Sequence, residues 1–323
     1  MTHYKIQAAA IKNAVDESDR ILLIAHKKPD ADTLGSVCAW INLLAPKGKE
    51  IHAFCLDPVP DYLQHLPGSH HIQQDVAIFE QHFDAIILND AASLDYAGID
   101  QILGNKEKGK TLLINVDHHV TNPHYGDINL VIPDASSTAE VLTRLFVHWG
   151  EELRKPIAES LLHGLITDTD SLTNPATGYQ ALAIASQLVN AGADLHTVVQ
   201  RTLHNKSIAD LKLWGRAMSR LKHNKIYNSV ATYVTQHDLD ECGTTEQSVE
   251  GMVNYLTLIP NVDLIIFIRT QKDGALKGSL RTVKPNIDVA KLALLYGGGG
   301  HKKAAGFRLD GRLVISDDNW TIV

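Results

Sequence analysis

Four short apolar runs, three of them closing on polar clusters, constrain the fold of this chain more than any other feature. Residues 20–25 run into His26, Asp30 and Asp32, residues 84–88 end at Asn89 and Asp90, and residues 111–116 end at Asp117-His118-His119. The remaining run covers residues 50–56. Runs this short and continuous fit strands buried on both faces. Helical patterns lie around and between them, at residues 4–15, 34–44, 136–148 and 157–166, with a break near Pro46 and Gly48. Apolar strands alternating with helices imply an α/β domain built on a parallel sheet covered on both sides. Ligands of such sheets bind outside the carboxyl ends of the strands. The histidines and aspartates are therefore expected to share one edge.

A chain of 323 residues is longer than one hydrophobic core usually serves. The texture changes accordingly. Residues 179–217 are helical in pattern; beyond Lys225, strands are expected at 229–235, 262–269 and 278–283, and helices at 246–258 and 288–295. We expect a catalytic domain over residues 1–203, a linker over 204–224 and a smaller C-terminal α/β domain over 225–323. Acidic residues outnumber basic ones, 37 to 30, for a net charge of −7. Proteins that coat long nucleic acid carry a basic excess, so a long nucleic-acid tract is not the expected partner. Short anionic substrates remain open, because bound cations can supply positive charge locally. Three scattered cysteines, Cys38, Cys55 and Cys242, make no disulfide framework and fit a reducing, cytoplasmic setting. The first residues do not read as a signal peptide, and no apolar run approaches the roughly 20 residues that span a bilayer.

The polar clusters carry the chemistry. His26, Asp30 and Asp32 share one loop stiffened by Pro29; Gly35-Ser36 follows, at a helix start whose amides can hold a phosphate oxygen. Asp90 alone would read as a cap or turn residue. Asp117, His118 and His119 behind an apolar strand are costly unless they bind something. Asp168 ends an apolar helix where the backbone already carries partial negative charge, a conflict that a nearby cation would resolve. Two histidines and four aspartates suit two divalent ions. Oxygen-rich ligation with some imidazole favours Mn²⁺, with Mg²⁺ as the alternative, over structural Zn²⁺. Paired ions of this kind clamp a phosphoryl group.

In this order, His-x-x-x-Asp-x-Asp, Asp, Asp-His-His and Asp resemble the DHH phosphoesterase superfamily. The segment Tyr296-Gly297-Gly298-Gly299-Gly300-His301-Lys302-Lys303-Ala304-Ala305-Gly306 resembles the glycine-rich motif of that superfamily's associated C-terminal domain. Asp117-His118-His119-Val120-Thr121-Asn122 and Ala135-Ser136-Ser137-Thr138-Ala139-Glu140 are similar to the branch containing NrnA-type nanoRNases. The resemblance implies degradation of very short RNAs and dinucleotides to mononucleotides, together with hydrolysis of 3'-phosphoadenosine 5'-phosphate. It implies that His26, Asp30 and Asp90 hold one metal, and that Asp32, Asp90, His118 and Asp168 hold the other. His119 would contact phosphate and donate a proton, with Asp117 orienting a histidine. Arg281, Gly298, Gly299, Gly300 and His301 would grip the substrate, and a cleft between the domains would limit its size.

Two positions depart from the pattern. Asp170 stands where relatives commonly have glycine, and Tyr96 stands near the place of an arginine. Rival activities are cyclic or linear dinucleotide hydrolysis, pyrophosphate hydrolysis and long-strand exonucleolysis. From another class, a non-catalytic nucleotide-binding regulator would be expected to have lost metal ligands, and none of those positions is lost. The oligomeric state is open, a homodimer included. His65, His70 and His71 are expected in solvent, His163 and His204 in structural roles, and Trp40 and Trp214 in the core. A flexible turn is the alternative reading of the glycine run.

Overall fold

Ala8, Ile11 and Val15 recur at helical spacing and are buried, laying α1 (Thr2–Glu17) against one side of a sheet. The computed structural model describes residues 2–103, 111–174, 177–202, 206–249, 251–300, 302–316 and 319–323. The chain divides into two units, Met1–Asn205 and Lys206–Val323. The first unit continues through β1 (Arg20–Ile24), α2 (Ala31–Leu44), β2 (Glu50–Phe54), β3 (Ile72–Gln73), β4 (Ala85–Asn89), α3 (Leu94–Ala97) and α4 (Asp100–Leu103). It closes with β5 (Leu112–Asp117), β6 (Ile128–Val131), α5 (Thr138–His148), α6 (Lys155–Asp168), α7 (Tyr179–Asn190) and α8 (Leu195–Thr202).

Six strands form a parallel sheet in the order β3-β2-β1-β4-β5-β6. Ile21, Leu23, Ala85 and Ile87 pack into the core on one face; Leu22, Ile24, Ile86 and Leu88 pack on the other. Burial on both faces explains why these strands read as unbroken apolar runs. The strand order reverses direction between β1 and β4. Such a reversal opens a crevice at the carboxyl ends of the two central strands. Helices α2 and α6 cross closely there, because Gly35 and Gly164 carry no Cβ; one at Gly35 would strike the Ser160 carbonyl.

The second unit starts with α9 (Ile208–Ser219), β7 (Lys222–Asn224), β8 (Ser229–Val234), α10 (Gln236–Cys242), α11 (Met252–Tyr255), β9 (Leu264–Thr270) and β10 (Leu276–Arg281). It continues with α12 (Val289–Leu294), β11 (Gly299–Gly300), β12 (Ala304–Leu309), β13 (Leu313–Ser316) and β14 (Asn319–Ile322). Its main sheet runs β11-β12-β10-β9-β8-β7, with β8 and β9 parallel and the other pairs antiparallel. Helix α9 falls within the stretch expected to be a linker. It buries Leu213 and Ala217 in the core of this unit, with Trp214 packed at the edge of the same cluster. The helix expected over residues 246–258 is instead broken into a 3₁₀ turn at Glu246–Val249, α11 and a second 3₁₀ turn at Leu256–Leu258. Gly251, at φ 82°, breaks the run. Among the described residues, no helix is long and apolar enough to cross a membrane.

Candidate metal centre and active site

Three strand ends deliver the cluster. Residue His26 follows β1, and its backbone N–H donates to Thr33 Oγ1 (3.2 Å), which in turn donates to the Asn89 carbonyl (3.0 Å). That link ties the end of β1 to the end of β4. His26 Nδ1 lies 2.8 Å from the Lys27 carbonyl, which points Nε2 at the carboxylates. Nε2 is 3.4 Å from Asp90 Oδ2 and 3.7 Å from Asp30 Oδ1. On the other side, His118 Nε2 lies 3.5 Å from Asp90 Oδ1 and 3.3 Å from Asp168 Oδ2. Asp90 therefore turns one oxygen to each histidine.

Helix starts hold Asp30 and Asp32. Asp30 caps α2, its Oδ1 accepting from the backbone N–H groups of Asp32 (3.0 Å) and Thr33 (3.1 Å). Asp32, fully buried, accepts from Thr138 N at Oδ2 (2.7 Å) and from Ala139 N at Oδ1 (2.9 Å). Asp117 Oδ1 lies 2.7 Å from His119 Nδ1, and Asp117 Oδ2 accepts from Asn122 Nδ2 at 2.6 Å. Asp117 Oδ1 also accepts from the backbone N–H groups of His118 (2.7 Å) and His119 (3.2 Å). The Tyr96 ring stands 4.8 Å from the His26 ring and 6.1 Å from the His119 ring, centroid to centroid.

The electrostatics fit a cation-binding centre. Among the described residues, buried His26 Nε2 has no hydrogen-bond partner, while carboxylate oxygens stand 3.4 and 3.7 Å away, an arrangement that suits a cation shared between them. Burial, reinforced by the charges of Asp90 and Asp168, pushes Asp32 well above the ordinary carboxylate range. Burial also raises Asp168 to about 6, against the pull of His118. Burial disfavours charge on His26 and His118, yet neighbouring carboxylates hold both well above the usual imidazole value. Asp32 and Asp168 thus favour their protonated forms in place of a nearby positive charge. Donor atoms of His26, Asp30 and Asp90, and of Asp32, His118 and Asp168, form two groups that could each hold a metal ion. Asp90, Asp117, His118 and His119 form a third such group.

Residues 20–167 match the DHH family, N-terminal domain, and residues 222–317 match the DHHA1 domain. The chain belongs to the DHH family. This DHH-family chain is 28% identical over 291 residues to the bifunctional oligoribonuclease and PAP phosphatase NrnA of Thermus thermophilus, covering 90% of this chain and 84% of that protein. It is 23% identical to the cyclic-di-AMP phosphodiesterase PdeA of Listeria monocytogenes, covering 94% of this chain but 47% of PdeA. An exopolyphosphatase-related protein from Bacteroides fragilis shares the fold with a TM-score of 0.88 at 26% identity, covering 95% of this chain and 92% of that one. DHH membership makes this chain a phosphoesterase, and hence a hydrolase.

The DHHA1 residues singled out from sequence lie in the second unit. Arg281 ends β10, its Nε donating to Asn254 Oδ1 (2.9 Å) and its Nη1 to the Leu280 carbonyl (3.0 Å). Gly299 and Gly300 form β11, paired with Gly306 and Ala305, so the run is a short strand rather than a flexible turn. A Cβ at Gly298 would strike the Gly306 carbonyl, and Gly300 takes φ 139°. Close packing on β12 is thus one reason for glycine here. His301 lies outside the described residues, as does His204.

Several contributors escaped sequence reasoning. Thr138, Asn122 and Gly164 all touch the cluster's carboxylates or stand against them; the first two lie inside quoted motifs, and nothing marked the third. His65, expected in solvent, is half-buried instead, its Nε2 2.8 Å from that of buried His163. Burial lowers His163 to about 4. Asp170 begins a left-handed turn with Ser171 and Leu172, at φ 49°, 60° and 63°. Glycine would take that conformation without strain.

Proposed function

We propose that this chain is a Mn²⁺-dependent exoribonuclease that degrades very short RNA oligonucleotides to mononucleotides and also removes phosphate from 3'-phosphoadenosine 5'-phosphate. The observation that carries the metal-dependent reading is the two-sided Asp90 carboxylate between His26 and His118. His26, Asp30 and Asp90 would hold one ion, and Asp32, Asp90, His118 and Asp168 the other. Bound there, paired ions supply charge neutralisation for the phosphoryl group and an activated water. The chain's own residues do the rest. Asp117 fixes His119 through Nδ1, so proton donation to the leaving oxygen falls to Nε2. Tyr96 offers an aromatic edge beside both histidines. In the second unit, Arg281 would pair phosphate oxygens, a task its planar fork suits, with Gly298, Gly299, Gly300 and His301 alongside.

Support for short RNA comes from the NrnA relative, which matches along most of both chains. The acidic balance accords with a small substrate. Three free cysteines accord with a reducing cytoplasm. The match to PdeA favours cyclic dinucleotides as a second reading. Purified protein with Mn²⁺ should convert a 5'-labelled RNA dinucleotide to mononucleotides, and Asp90→Ala should abolish this. Rates on that dinucleotide, a cyclic dinucleotide, 3'-phosphoadenosine 5'-phosphate and pyrophosphate, measured side by side, decide between the readings. Fastest turnover of the cyclic substrate would overturn the short-RNA proposal.

A further inference from the structure

The geometry points to Thr138 as a positioning residue: its hydroxyl fixes the shared carboxylate of Asp90 and thereby sets the metal affinity of the centre. This rests on the metal-dependent reading above. Thr138 is the first residue of α5 and is fully buried. Capping does not explain its hydroxyl, because Ser137 caps the helix by accepting from Glu140 N (3.0 Å). Thr138 Oγ1 instead donates to Asp90 Oδ1 at 3.0 Å. The same residue's backbone N–H donates to Asp32 Oδ2 at 2.7 Å. One residue therefore ties together a carboxylate at the start of α2 and one at the end of β4.

The start of α5 is a stiff platform for this task. Glu140 Oε2 accepts from Ser136 N (3.0 Å) and Ser136 Oγ (2.7 Å), all of it buried. Among the described residues, Thr138 is the closest donor to Asp90; His26, His118 and His119 stand 3.4 to 3.6 Å away. A carboxylate oxygen has two lone pairs. The hydroxyl engages Oδ1, the oxygen that also faces His118 (3.5 Å) and His119 (3.6 Å). Without it, Asp90 can rotate about its side-chain bonds and lose the split presentation of its two oxygens. Partners of metal ligands commonly change affinity by about 10–100-fold when removed.

The test titrates metal-free full-length protein with Mn²⁺ and follows the free ion by electron paramagnetic resonance, with no substrate present. Thr138→Val should weaken binding by about 10–100-fold. Thr138→Ser, which keeps the hydroxyl, should restore affinity close to wild type. At saturating Mn²⁺, Thr138→Val should lower kcat on the labelled dinucleotide while leaving KM unchanged. Wild-type affinity in Thr138→Val overturns the inference, and so does a Thr138→Ser protein as weak as Thr138→Val. Should Thr138→Val fail to fold, Thr138→Ala against Thr138→Ser makes the same comparison. A wild-type chain that binds Mn²⁺ but cleaves no dinucleotide sinks the short-RNA reading alone, because the titration still decides the role of Thr138.

Discussion

Asp90 holds its place between two histidines from a backbone conformation that most side chains avoid, at φ 59°. Asparagine and aspartate tolerate this left-handed region better than other non-glycine residues. Asp90→Asn should therefore keep the turn while removing one charge that pushes Asp32 and Asp168 toward protonation. We expect metal-free Asp90→Asn to melt at or above the wild-type temperature. Added Mn²⁺ should raise the melting temperature of the wild type only. An equal Mn²⁺ shift in both proteins would show that Asp90 is not a shared ligand. The histidines make a second residue-scale prediction. His26 and His118 are held well above the ordinary imidazole value by carboxylates. Their stabilising contribution is complete below the unfolded value of about 6.5 and is lost as pH rises through the folded values. His163, lowered by burial to about 4, acts in the opposite sense between about pH 4 and 6.5. Above pH 6.5 the window therefore excludes His163, and the contribution of the raised Asp32 declines there in the same sense as that of the two histidines. Chelated protein should lose melting temperature as pH rises above about 6.5, and excess Mn²⁺ should remove that decline. A chelated melting temperature that rises across the window would contradict the carboxylate pairing.

The meeting of α2, α5 and α6 sets how closely Asp32 approaches the centre. A Cβ on Gly164 would lie 2.5 Å from Asp32 Oδ1 and 2.9 Å from the Ala139 Cβ. Gly164→Ala should push Asp32 away from the Thr138 and Ala139 amides, destabilise the fold by roughly 1–3 kcal/mol and weaken Mn²⁺ binding. Gly35→Ala meets a backbone carbonyl instead of a ligand. It should destabilise at least as much, with less effect on affinity relative to its loss of stability. Denaturant melts paired with Mn²⁺ titration separate the two, and equal affinity losses would refute the distinction. The same elements show what a sequence can and cannot disclose. β1, β4 and β5 were readable because burial on both faces leaves a nearly continuous apolar run in each. β3 and β6 are short and lie at the sheet's edges, and β6 spends Asn129 on hydrogen bonds to Gly126 and Asn115. Neither length nor composition announced them. His118 and Asp168 stood out because charge at those positions conflicts with its surroundings. Gly164 did not, because the collision it avoids involves Asp32, far away in the chain. The His65–His163 contact spans 98 positions and was invisible for the same reason.

At the scale of the molecule, the metal-ligand candidates all lie in the first unit, and Arg281 lies in the second. The two sets of residues share no local framework: the first hangs from the ends of β1, β4 and β5, the second from β10. The pairing of Arg281 with Ala304 on β12 and Ile265 on β9 keeps its backbone in register without help from the cluster. Loss of one set should therefore leave the fold around the other intact, since each is held by hydrogen bonds and strand pairings within its own unit. Arg281→Ala should bind Mn²⁺ as the wild type does and keep most of kcat, while KM for the dinucleotide rises at least about tenfold, as the loss of a charge-assisted hydrogen-bond pair of about 1.5–3 kcal/mol implies. Arg281→Lys should recover little of this, because an ammonium cannot reproduce the planar two-pronged contact. Asp90→Asn should show the reverse pattern, abolishing Mn²⁺ binding while a mononucleotide still binds in chelator with near-wild-type affinity. Calorimetric titration of Arg281→Ala and Asp90→Asn, each with Mn²⁺ and with a mononucleotide, gives the values to set against wild type. If Arg281→Ala lowers Mn²⁺ affinity as much as it lowers nucleotide affinity, the two units do not divide the work, and Arg281 belongs to the support of the metal centre instead.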